Sequence, residues 1–196
     1  MFKRILSAAA LAAFSFAPIA SATPTTPRGL DDGHRALWSV LREHGVEAHV
    51  NPNQVCGDPS AEFMGVYFYA EREDVPVLVV CQDNRIAWDD TEVTWTANDL
   101  DTLRHEAVHY LQDCINGDID MVLSPLHDGP GPGPGTLTYE DIIGILGPER
   151  ATRIAYAYAE KGPDTVRLEH EAFAMAAVLT GEQLSVIISK SCPIEQ

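Results

Sequence analysis

His105, Glu106 and His109 stand in the pattern HExxH. On a helix, residues four apart lie one above the other on the same face. Two imidazoles at that spacing can bind one Zn²⁺, and the glutamate between them can act as general base toward an attacking water. Two histidines do not complete such a centre, because a catalytic zinc takes three protein ligands and keeps a fourth position open. The third ligand has to come from elsewhere in the chain.

Residues 165–180 read as a helix that offers Glu169 and Glu171. Leu168, Ala172, Met175, Ala176 and Leu179 form its buried stripe, and Glu169 projects within about 40° of that stripe. Glu171 lies at the far edge, and His170 faces away toward solvent. A carboxylate on an apolar face is costly unless it is paired or bound to a metal. The small Ala172 and Ala176 let another helix approach closely. Glu169 is therefore preferred as the ligand over Glu171, which could instead accept a hydrogen bond from a ligating imidazole. The competing role for Glu169 is a buried salt bridge to Arg150 or Arg153. Tyr139, Tyr156, Tyr158 and His127 lie between the ligands and could supply a second electrophile for an oxyanion. His34, His44, His49 and His127 show no ligand spacing to one another and read as surface or locally bonded residues.

The elements that must position these groups change character along the chain. Residues 30–44 predict a helix with Leu37, Trp38 and Leu41 inward and Gly45 as its stop. Residues 46–50, 63–70 and 75–82 are β-like, and the polar turn 71–74 joins the last two as an antiparallel hairpin. Residues 83–84 mark another turn, before 85–88, and residues 92–95 add a short strand. A helix capped by Asn98 or Asp99 then runs to about Cys114 and ends at 116–117. Its apolar stripe is Leu100, Leu103, Ala107, Leu111 and Cys114, with the two imidazoles on the opposite side, facing a cleft. Further helices follow over 139–146 with Thr138 as cap, 148–160, and 165–180 closed by Gly181. Residues 128–135 alternate Gly and Pro, which excludes helix and strand; they read as an exposed loop, either a tolerated insertion or a flap. The fold class expected is α+β, an N-terminal antiparallel sheet followed by helices that carry the ligands.

Lys3 and Arg4, the apolar run 5–17 and the small residues Ala20-Ser21-Ala22 describe a signal peptide over residues 1–22, cut after about Ala22. The run is too short for a transmembrane helix, which needs about 20 apolar residues, so no stable membrane insertion is expected after cleavage. Residues 23–29 form a Pro- and Thr-rich leader, and residues 30–196 a single domain. All four cysteines lie in that domain, and an even count in an exported protein implies two disulfides. The pairing expected is Cys56–Cys81 and Cys114–Cys192. The formal charge of −16 becomes −18 once Lys3 and Arg4 are removed. Phosphate backbones would be repelled, which excludes nucleic acid as a partner.

These features resemble the gluzincin metallopeptidases, which carry HExxH on one helix and a glutamate ligand on a later one. Glu169-x-x-Ala172 is similar to the E-x-x-A segment of several gluzincin groups, although Phe173 stands where Asp or Asn often follows the alanine. No third histidine follows the motif as in metzincins, since Gln112 and Ile115 fill the glycine and histidine positions. The resemblance implies a compact zincin-like domain. It also implies a secreted or periplasmic zinc hydrolase acting on peptides or proteins, with His105, His109 and Glu169 on the metal and Glu106 as base. The competing class is a non-catalytic, exported, disulfide-bonded binding domain with a structural or vestigial metal site. Retention of Glu106 favours the enzyme, because a structural site needs ligands and no base.

Overall fold

The computed structural model describes residues 26–57, 64–70, 75–115, 117, 119–126 and 137–192. The signal peptide, the turn 71–74, His127 and the Gly/Pro segment 128–135 lie outside the described residues.

α1 (Asp32–Glu43) begins at Asp31, whose carboxylate accepts from the His34 N–H. It leads through Gly45 into β1 (Glu47–Val50) and a single turn, α2 (Asn53–Cys56). β2 (Gly65–Ala70) and β3 (Val75–Val80) form the expected antiparallel hairpin, with Tyr67 opposite Leu78. β1 pairs with β3 in parallel, so the strand order is β1-β3-β2 and the sheet is mixed, not antiparallel throughout. The reason lies in β3 itself. Its run VPVLVV does not alternate, and Val77, Leu78, Val79 and Val80 are all buried, as suits a central strand covered on both faces. Tyr67, Leu78 and Val80 join the main core with α1 and α3, while Val66, Phe68, Val77 and Val79 pack on the other face with Cys56 and Cys81.

The short strand expected at 92–95 does not form. The Gln82 side-chain amide takes its place: its Nε2 donates to Val93 O at 2.9 Å and its Oε1 accepts from Val93 N at 2.8 Å. Asn51 completes the arrangement by donating to Gln82 Oε1 and accepting from the Gln82 N–H. One side chain thus satisfies the backbone groups that a neighbouring strand would have used.

α3 (Ala97–Cys114) is the central helix. Thr96 caps it in place of Asn98 or Asp99; Asp99 is the third residue of a capping box, its carboxylate accepting from the Thr96 N–H. Thirteen of its 18 residues are buried, so the side opposite the apolar stripe is packed rather than facing an open cleft. α4 (Tyr139–Leu146) starts at Thr138 as expected, and α5 (Pro148–Tyr158) continues into a 3-10 turn at Ala159–Lys161. α6 (Pro163–Val178) lies against α3, with Ala172 and Ala176 buried between them. The expected stop at Gly181 is instead the first residue of α7 (Gly181–Ser191), which opens with a Thr180–Gln183 capping box. Glycine stands there for close approach: a Cβ would lie 2.8 Å from Gly33 O in the first turn of α1. The described residues thus form an α+β arrangement of a three-stranded mixed sheet and seven α-helices. Both expected disulfides, Cys56–Cys81 and Cys114–Cys192, are formed.

Asp113 anchors the end of α3. It accepts from the Tyr67 hydroxyl at 2.6 Å and from the backbone N–H groups of Met121 and Asp120 at 2.9 and 3.2 Å. Asp113→Ala strands these donors and is expected to cost about 3 kcal/mol. Burial raises the Asp113 carboxyl above its ordinary range. A raised carboxyl contributes stability at low pH that is lost as pH rises through its folded value. Asp113→Asn should therefore gain stability relative to the wild type as pH rises above the ordinary aspartate value of about 4, read by thermal unfolding at each pH.

Candidate metal centre

α3 and α6 bring the chemistry-bearing side chains together. His105 Nε2 and His109 Nε2 stand 3.1 Å apart. Glu169 places Oε2 3.3 Å from the first and Oε1 3.7 Å from the second. His105, Glu106 and His109 offer ligand atoms within 4.8 Å of one another, and this buried group could hold a metal ion. The donor spacing suits one. Ligand atoms about 2.0–2.1 Å from a tetrahedral centre lie about 3.3 Å from each other.

Burial supports the same fit. None of His105, Glu106, His109 and Glu169 is more than 2% exposed. Both carboxylate oxygens of Glu106 and of Glu169 lack a hydrogen-bond partner among the described residues. Such groups are costly in an interior unless a cation or a donor meets them.

No family model, curated protein or solved structure matches this chain. The site's meaning rests on its geometry and chemistry.

Charges in the cluster are strongly coupled. Burial pushes the Glu106 carboxyl up to about 8, with the His109 charge opposing the shift and the Glu169 charge adding to it. Burial works against ionised Glu169 as well, yet the two imidazoles hold it below the usual carboxylate range. Burial lowers His105, while for His109 the Glu169 charge overcomes burial and raises it. The carboxylate that belongs with the imidazoles is thus Glu169. Arg150 and Arg153, its alternative partners, reach Asp101 and Glu149.

Several expected placements change. Glu171 is buried and accepts from Gln112 Nε2 at 2.8 Å and Leu126 N at 2.9 Å. His170 is buried and not solvent-facing; it is held between the Tyr139 hydroxyl and Ala151 O, so its partners are on α4 and α5. His44 is buried against the Tyr110 ring rather than at the surface. His34 is also buried, locally bonded to Asp31 and meeting Arg104. Tyr156 is 85% exposed, and Tyr139 is engaged by His170. Tyr158 alone of the described oxyanion candidates meets the site: burial first, then the Glu169 and Glu106 charges, keep its hydroxyl protonated.

Three residues contribute to the site beyond the roles expected from the sequence. Phe173 packs its ring on His105 with centroids 4.3 Å apart. Gln112 bonds His109 Nδ1 at 2.7 Å. Gly65 lets β2 approach α3, since a Cβ there would lie 2.6 Å from Thr102 Cγ2 and 3.0 Å from Glu106 Oε1. The helical offset of three from His109 to Gln112 was the available signal for the second.

Proposed function

We propose that the protein is an exported zinc hydrolase of zincin-like architecture acting on peptide bonds. The observation that carries this is the convergence of two imidazole nitrogens and one carboxylate beside Glu106. Two nitrogens and one oxygen make a donor set that suits zinc and leaves a fourth position for water. His105, His109 and Glu169 would hold the ion. When bound, zinc supplies Lewis acidity that lowers the pKa of water toward about 7.

Glu106, one residue from His105 and buried beside the donors, accepts a proton from the attacking water and returns it to the leaving amine nitrogen. Tyr158 keeps its proton and can donate it in a hydrogen bond to the oxygen that gains negative charge. Phe173 and the surrounding helices keep bulk solvent from these groups. Two disulfides fit an extracellular setting, and no helix among the described residues is long and apolar enough to cross a membrane.

The near-complete burial of all four side chains favours a second reading, a structural metal site in a non-catalytic exported domain. One experiment separates the two. Purified protein is analysed for zinc beside Glu169→Ala and Glu171→Ala, and hydrolysis of unfolded casein is followed before and after chelation. About one zinc per chain, lost in Glu169→Ala, with hydrolysis removed by chelator and restored by Zn²⁺, is the expected result. Stoichiometric zinc without hydrolysis selects the structural reading, and absence of zinc after Zn²⁺ addition removes both.

A further inference from the structure

The two imidazoles are supported in different ways. His105 meets the Phe173 ring, and its Nδ1 has no hydrogen-bond partner among the described residues. His109 instead bonds through Nδ1 to the Gln112 side chain at 2.7 Å. The orientation of that amide is determined by its other contacts. Gln112 Nε2 donates to Leu168 O at 3.1 Å and to Glu171 Oε2 at 2.8 Å, and both of these atoms can only accept. The Gln112 oxygen therefore faces His109, which must donate from Nδ1. In the neutral ring this leaves the Nε2 lone pair directed at His105 and Glu169.

Glu171 extends the chain of bonds. The oxygen that receives Gln112 also accepts the Leu126 N–H at 2.9 Å. A buried carboxylate two residues from Glu169 thus ties α3, α6 and the segment after α3 to one ring nitrogen. Gln112 meets His109 at Nδ1, whereas the Nε2 of that ring is the nitrogen beside His105 and Glu169, so the amide does not compete for the metal.

We propose that Gln112 and Glu171 are the positioning pair of the metal centre, a carboxylate–amide relay that fixes the tautomer and ring direction of His109. The proposal rests on reading the cluster as a metal site. It assigns Glu171 a role distinct from that of a ligand and makes His109, not His105, the imidazole whose geometry is enforced by polar contacts. Outer partners of this kind change metal affinity by about 10–100-fold when removed.

The test uses the whole mature chain and two readouts. Zinc affinity is measured by chelator competition, and the His109 Nδ1–H resonance is followed by NMR in protein freed of metal. Gln112→Leu and Glu171→Leu are expected to weaken zinc binding about 10–100-fold and to lose the protected Nδ1–H signal. Glu171→Gln keeps an oxygen for both Gln112 and Leu126 and should stay within about threefold of wild type, since neutral amides serve as acceptors equally well in kind. The double variant Cys56→Ala/Cys81→Ala, destabilised on the far face of the sheet, should also retain zinc affinity, which separates positioning from general loss of stability. Wild-type affinity in Gln112→Leu, or a protected Nδ1–H that survives it, overturns the proposal. If the wild type binds no zinc, the metal reading falls, and the resonance alone still decides whether the pair holds His109.

Discussion

Glu106→Gln is expected to lower peptide hydrolysis by about 10²–10⁴-fold while leaving zinc content at the wild-type level. The amide has nearly the volume of the carboxyl, so the close fit of Glu106 against Gly65 is preserved. Glutamine can still accept from a backbone donor, but it cannot take a proton from water at neutral pH. Because the donors that converge are the imidazoles and Glu169, metal retention should not depend on this position. Zinc analysis beside steady-state kinetics checks both halves. Unchanged kcat/KM would remove Glu106 from the reaction, and loss of zinc would make it a ligand instead.

The second large effect concerns stability. Removing the Cys114–Cys192 disulfide with alanine at both positions is expected to cost about 4.5 kcal/mol, since the bond closes a loop with a sequence separation of 78. Cys56–Cys81 closes a separation of 25, for which the same relation gives about 3.5 kcal/mol. Position strengthens the difference. Cys114 is the last residue of α3, and Cys192 caps the end of α7, so the bond anchors the helix that carries both imidazoles. Calorimetry should show Tm falling by roughly 10–15 °C for the first pair, and by less for the second. A fall of only a few degrees, or the reverse order, would show that the denatured chain is not constrained as loop length implies.

How much of this was legible in the sequence depended on where each residue's partner lies. α4 could be located because Thr138, Asp141 and the apolar spacing are all local. The hairpin was legible for the same reason, and the preference for Glu169 followed from its place near an apolar stripe. Parallel pairing of β1 was not, because it depends on which strand occupies the middle of the sheet; the unbroken apolar run of β3 was the clue. The segment 92–95 has strand-like residues, but a distant glutamine side chain satisfies Val93 before any strand can. Gly181 has the chemistry of a helix stop and is there because α1 passes close by. His170 was assigned to solvent since α4 and α5, which bury it, could not be placed over that side of α6 from periodicity alone.

The separation of the donors along the chain also sets an order in time. A chain emerging from its N-terminus presents both imidazoles and Glu106 while α6 is still unmade. Glu169 arrives 60 residues after His109, and the Cys114–Cys192 bond cannot form until α7 has followed. Convergence of the donors and closure of the longer disulfide are therefore both late events, each dependent on the C-terminal helices docking onto α3. Until then the imidazoles lack the carboxylate that meets them in the finished fold, so the proposed centre is complete only when the fold is.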